Sequence, residues 1–114
     1  RVKYVLQGRD PWVEHFSVLE AEVPDEDNLE DTALNTELVS ELNSLDSLLI
    51  AGEASSHCVR STVIDLLPHL SDPKKVTLLK DCMSPVPGFE ALMNDLVYFA
   101  RTCGATVRKV SDLS

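Results

Sequence analysis

An α/β fold built on a parallel sheet is what the sequence predicts, and three observations lead to it. Strand-like and helix-like segments alternate along the chain as β-α-β-α-β-α-β. The stretch Ser47-Leu48-Leu49-Ile50-Ala51-Gly52 is a continuous apolar run stopped by glycine, which suits a strand buried on both faces of a parallel sheet. Between such runs, apolar residues recur at helical spacing on one face.

Taken in order, residues 2–6 form a short β-favouring run, ended by Gly8 and the turn signal Asp10-Pro11. Residues 20–31 are dense in acids, include Pro24, and read as a solvated loop. Over residues 32–45, Leu34, Leu38, Val39, Leu42 and Leu45 fall on one helical face. The strand at residues 47–51 follows. Residues 58–70 read as a helix with Val59, Val63, Leu66, Leu67 and Leu70 inward, broken by Asp72-Pro73. Lys74-Lys75 is the one basic pair and is expected to cap a turn. Residues 76–79 supply the next strand, with Asp81 just past its end, and Pro85 and Pro87 mark an irregular loop. Residues 89–103 form another helix, with Phe89, Leu92, Met93, Leu96, Phe99 and Ala100 in phase, closed by Gly104. Residues 105–110 give a last strand. In such a sheet the chemistry sits beyond the C-terminal ends of the strands, here residues 7–16, 52–58 and 80–88.

The 114 residues make one domain at most, and their 44% hydrophobic and 25% charged content is ordinary for a soluble globular protein. A formal net charge of −9, without clustered Lys and Arg, argues against a nucleic-acid partner. The apolar runs fall far short of the roughly 20 residues that cross a bilayer, so no membrane partner is expected. No signal-peptide pattern opens the chain, and it lacks an initiator Met, so it is expected to be an excerpt. Cys58, Cys82 and Cys103 are widely spaced, which fits neither a zinc site nor a disulfide framework and suits a reducing cytoplasm. His15, His57 and His69 are equally scattered, so no metal site is expected from this segment alone.

The most informative stretch is Gly52-Glu53-Ala54-Ser55-Ser56-His57-Cys58-Val59-Arg60-Ser61-Thr62. A buried strand ends at Gly52, a loop of small residues follows, and Cys58 opens a helix. Free N–H groups at a helix N-terminus favour a nearby anion, and so favour a thiolate and a developing oxyanion. That is a sensible place for the nucleophile of acyl transfer. The residues by themselves also allow the plainer reading, since a buried cysteine usually behaves as a small apolar side chain.

This stretch resembles the nucleophile motif of the isochorismatase-like cysteine hydrolases, whose nicotinamidase members read approximately G-x-A-T-D-x-C-V-x-x-T. Gly52, Ala54, Cys58, Val59 and Thr62 match, while Ser55 and Ser56 stand where the family has Thr and Asp. Gly8-Arg9-Asp10-Pro11 through Phe16-Ser17 resembles the family's K-G-x-x-P…Y-S segment. Lys80-Asp81-Cys82-Met83-Ser84 resembles its D-A-x-x-S, and Gly104-Ala105-Thr106-Val107 its G-A-x-V. The matches fall in the right order over nearly the whole chain.

The resemblance implies a Rossmann-like three-layer fold, present here as an incomplete C-terminal portion, with residues 1–114 part of a single isochorismatase-like hydrolase domain whose N-terminal strands are missing. It implies an amidase acting on a small amide, nicotinamide or a relative, in the cytoplasm, through a thioester on Cys58. The oxyanion would be held by the N–H groups of Ala54 and Cys58, and Glu53 would join Ala54 through a cis peptide. Trp12 and Phe16 lie on the loop that borders the family's pocket, and His57 flanks the nucleophile; for all three, ordinary packing is an equal reading. A homo-oligomer is compatible with the family.

Two departures matter. The family's catalytic Asp, and the ligands of a zinc-like divalent metal in nicotinamidases, lie on strands that would precede Arg1. In family topology those strands fill the space between residues 2–6 and 47–51, so this chain is expected to leave a gap with two unpaired edges. The family's Lys, moreover, is replaced by Gln7, a neutral amide without the charge that favours a thiolate. Lys3 is roughly 13 Å away along a strand; Arg9 is nearer but reads equally as a surface residue. Gln7 motivates a second reading: a catalytically impaired member serving as a binding or oligomerisation module.

Overall fold

The computed structural model describes residues 2–8, 10 and 12–113; Arg1, Arg9, Pro11 and Ser114 lie outside the described residues. Three parallel strands, β1 (Leu48–Ile50), β2 (Val76–Leu79) and β3 (Thr106–Arg108), form one sheet in the order β1-β2-β3. Four helices accompany them: α1 (Leu29–Thr32), α2 (Thr36–Asn43), α3 (Cys58–Leu66) and α4 (Glu90–Thr102). The crossovers β1-α3-β2 and β2-α4-β3 step in one direction across the sheet, which places α3 and α4 together on one face. Among the described residues no helix is long and apolar enough to cross a membrane.

Registers of Leu48 with Val76, and of Ile50 with Leu78 and Val107, align five apolar side chains on one side of the sheet. Val59, Val63 and Leu66 of α3, Leu96 and Ala100 of α4 and Val39 of α2 pack against them as the core. The opposite side carries Leu49, Thr77, Leu79, Thr106 and Arg108, and there Leu49 is 55% exposed. The expectation that residues 47–51 are buried on both faces is therefore corrected: helices cover the Leu48 side, and little covers Leu49.

A second correction concerns residues 2–6, which form no strand. Val2 is 72%, Tyr4 88% and Leu6 76% exposed. A β-favouring run becomes a strand only when a neighbour satisfies its N–H and C=O groups, and no described strand lies beside it. β1 likewise pairs with β2 alone, so its other edge is bare among the described residues.

The acidic stretch is more ordered than a solvated loop. Asp25 caps a 3-10 turn (Glu26–Asn28) by accepting from the Asp27 N–H, and α1 follows. The buried Thr32 hydroxyl accepts from the Asp25 N–H at 2.8 Å and donates to the Asn28 carbonyl at 2.6 Å. The helix predicted over residues 32–45 is shortened to α2, because Asn35 caps it by accepting from the Leu38 N–H at 3.0 Å. The helix predicted over residues 58–70 tightens to a 3-10 turn (Leu67–His69) at Pro68, which has no N–H to continue the α ladder. Phe89, predicted on the inward face of α4, is instead its N-cap and is 46% exposed. Gly104 ends α4 as expected, at φ +99.

Lys75 does the capping the sequence suggested. Its ammonium donates to the carbonyls of Leu42 (3.0 Å), Asn43 (2.8 Å) and Leu45 (2.8 Å), which α2 leaves unpaired at its C-terminus. Lys75→Met keeps the apolar stem and deletes the three donors; urea unfolding is expected to show a loss of roughly 1–2 kcal/mol. An unchanged midpoint would mean water serves those carbonyls equally well.

Candidate active site

The loop between β1 and α3 is laced to the segment after β2. Gly52, at φ +129, donates its N–H to the Cys82 carbonyl at 3.0 Å, and Ser55 N–H donates to the Ser84 carbonyl at 2.9 Å. The Glu53 carboxylate accepts from the Ser84 hydroxyl at 2.8 Å and from its N–H at 3.3 Å. Buried Ser56 accepts the Val86 N–H at 2.9 Å. The peptide joining Glu53 to Ala54 is cis. His57 and Val59 both donate their N–H groups to the Ala54 carbonyl, at 3.1 and 3.0 Å, while the N–H groups of Ala54 and Cys58 donate to no acceptor among the described residues.

Cys58 is the first residue of α3, and its thiol is half-buried and free. Gln7 reaches it from the other end of the chain. Its Nε2 donates to the carbonyls of His15 (2.7 Å) and Phe16 (2.8 Å) and lies 3.5 Å from Cys58 Sγ. Thr62, one turn further along α3, accepts the Val18 N–H at 3.1 Å, which ties the same loop to the helix. A cavity of about 170 Å³ opens between Gln7, Ile50, Gly52, Glu53, Cys58 and Thr62. Two larger cavities, of about 320 and 330 Å³, lie against Asn35 and Glu37 and do not touch the thiol. The smaller one holds the only chemistry-bearing thiol of the three, so size is a poor guide here.

Rings gather beside the thiol. His57 lies 5.9 Å from the Phe16 ring at 60°, and 5.0 Å from the Phe89 ring at 74°. Gln7, Ala54, Phe16, His57 and Cys58 thus come together. Trp12 does not join them: its side chain is 92% exposed and makes no ring contact among the described residues. Lys3 is engaged elsewhere, in an ion pair with Glu41, and Arg9 lies outside the described residues. Phe89, Ser56 and the Glu53–Ser84 brace were missed from sequence; Gly88 immediately before Phe89 was the signal that this ring leaves the helix face.

Among the described residues, no three His, Cys, Asp or Glu side chains converge to hold a metal ion. None of them fits the zinc-like ion that the family resemblance implies, and no step below runs through one.

The loop bordering the rings is tied down at Asp10, which accepts from the Asn28 amide at 3.0 Å and the Trp12 N–H at 2.9 Å. The Asn28 bond first, and the Trp12 N–H second, hold its carboxyl below the ordinary 3.8, with burial opposing them. A lowered folded-state pKa stabilises above the unfolded value and loses that contribution as pH falls through the folded one. The tie is therefore complete at neutral pH and loosens only below about 3.8. Fluorescence anisotropy of Trp12, the single tryptophan, is expected to fall there, and to be already low and flat with pH in Asp10→Ala. A pH response persisting in that variant would place the titrating group elsewhere.

No protein-family model matches the chain, and no curated protein does. Solved structures match in fold. The Acinetobacter baumanii nicotinamidase pyrazinamidase aligns over 90% of this chain and 44% of its own length, with 15% identity and a TM-score of 0.62. The pyrazinamidase of Pyrococcus horikoshii, solved in complex with zinc, aligns over 88% and 46%, with 20% identity and a TM-score of 0.58. The yeast nicotinamidase aligns over 84% and 40%, with 22% identity and a TM-score of 0.55. The parallel sheet with its flanking helices matches the isochorismatase-like three-layer α/β fold of these proteins, and the chain spans less than half the length of each.

Proposed function

We propose that this chain is the C-terminal portion of a single-domain cysteine hydrolase of small amides, related to the nicotinamidases, with Cys58 as nucleophile. The observation that carries the reading is the meeting of Gln7, at the family's lysine position, with Cys58 Sγ across 51 residues of sequence. It occurs beneath a loop whose Ala54 and Cys58 N–H groups are untaken.

In this reading the Cys58 thiolate attacks the amide carbonyl carbon, and the two N–H groups hold the negative charge that develops on oxygen. The C–N bond breaks as the leaving amine takes a proton, and ammonia departs. Water then attacks the thioester, the C–S bond breaks, and the carboxylic acid and thiol are released. On the family resemblance, the carboxylate that relays the proton and the ligands of any zinc-like ion belong to strands preceding Arg1. The bare edge of β1 and the unpaired residues 2–6 are in keeping with such strands. Three free thiols accord with a cytoplasmic setting.

The neutral amide favours a second reading, an impaired member acting as a binding or oligomerisation module. An amide nitrogen carries two hydrogens, and the carbonyls of His15 and Phe16 take both at short range. What remains for Cys58 Sγ at 3.5 Å is a weak contact without charge. Ammonia release from a panel of small amides by the full-length, metal-loaded protein separates the two. Release, with a thioester on Cys58 found by mass spectrometry, supports the amidase; a folded protein that binds amides without releasing ammonia supports the module.

A further inference from the structure

The thiol site carries a recognition wall that the reaction itself does not use. Ser56 is 2% exposed, and its oxygen both accepts the Val86 N–H at 2.9 Å and lies 2.7 Å from His57 Nδ1. A hydroxyl has one hydrogen to give, and His57 Nδ1 is the only acceptor it meets among the described residues. Were the imidazole proton on Nδ1, that buried hydrogen would have no acceptor, which native interiors rarely tolerate. The hydroxyl therefore donates to Nδ1, and the ring proton sits on Nε2, on the far side of the imidazole from Ser56.

No described residue bonds His57 Nε2. The imidazole is held in place by Phe16 at 5.9 Å and by Phe89 at 5.0 Å. Both phenyl rings keep open surface, Phe16 at 36% and Phe89 at 46% exposure. The wall adjoins the thiol twice over: His57 is the residue before Cys58, and the Phe16 carbonyl shares the Gln7 amide with Cys58 Sγ.

We infer that Ser56 is a positioning residue that fixes His57 as an Nε2–H donor, and that the Phe16–His57–Phe89 wall selects amides of planar rings bearing a hydrogen-bond acceptor. The inference rests on the amidase reading in one respect. There the amide oxygen belongs to the N–H groups of Ala54 and Cys58, so the acceptor read by His57 is on the ring. The preferred class is a heteroaromatic carboxamide over its carbocyclic counterpart of the same shape.

The test uses binding, so that it does not depend on turnover. In full-length protein carrying Cys58→Ala, pyridine-3-carboxamide is expected to bind about five- to tenfold more tightly than benzamide, the increment of one neutral hydrogen bond. His57→Phe in that background brings the ratio to near one. Histidine ¹⁵N shifts in the free protein at pH 8 report the Nε2–H tautomer, and Ser56→Ala shifts the population towards a mixture and lowers the ratio. An Nδ1–H tautomer in the unaltered protein, a ratio that survives His57→Phe, or binding of neither amide overturns the inference. Selective binding together with absent turnover in the protein that keeps Cys58 upholds the wall and counts against the amidase reading alone.

Discussion

Replacing Cys58 by alanine is expected to lower amide hydrolysis by the full-length protein by on the order of 10³-fold or more, the scale seen when a covalent nucleophile is removed. The expectation follows from position. Cys58 is the thiol at the first residue of α3, beside untaken N–H groups and a cavity. Cys82 is exposed on a 3-10 turn, and Cys103 packs half-buried at the end of α4. Cys82→Ala should leave activity within about twofold, and Cys103→Ala should cost roughly 1 kcal/mol of stability with turnover per folded molecule retained. Progress curves for the three variants, normalised to folded fraction by circular dichroism, make the comparison. Equal losses in all three would attribute the effect to folding, and a Cys58→Ala enzyme that still releases ammonia would remove the thioester from the mechanism.

Gln7→Lys is expected to quicken alkylation of Cys58 by iodoacetamide at pH 7 by roughly five- to tenfold. The reason lies in the cradle that holds the side chain. His15 and Phe16 offer two carbonyl oxygens at 2.7 and 2.8 Å, and Cys58 Sγ completes a set of three acceptors. An amide nitrogen has two hydrogens for those three; an ammonium has three, and a charge besides. An opposite charge in contact favours the ionised partner by about one to three pH units, and the lower intrinsic reactivity of a more acidic thiol returns part of that gain. Mass-resolved alkylation of Cys58 against Cys82 in the same molecule is the measurement, with ammonia release alongside. A faster Cys58 with unchanged turnover would place the deficit beyond the thiol. No change in either would mean that the lysine does not enter the cradle, or that the charge is already supplied by a group outside the described residues.

Much of the fold was legible because its signals are local. The positions of β1, β2 and β3 followed from short apolar runs, and α4 from helical spacing closed by Gly104. Where the reading failed, a single side chain reset a boundary. Asn35 starts α2 late, Pro68 ends the α ladder of α3 early, and Phe89 sits one residue outside α4, facing His57 instead of the core. None of these changes the hydrophobic period, so the period could not announce them. The site was half legible in the same sense. Cys58 at a helix start beyond a buried strand is a pattern of neighbours in sequence, whereas its contact with Gln7 is not.

The sequence by itself determined the class of fold, the order of its elements and the thiol on which a reaction would turn, since periodicity and turn residues act within a few positions of one another. Only the tertiary structure decided what those elements meet. It joined Gln7 to Cys58 and Phe89 to His57, left Leu49 exposed, and left residues 2–6 without a ladder. The physical reason is that an apolar run fixes which residues seek burial or pairing, while burial and pairing are completed by partners distant in the chain, and no local pattern names them.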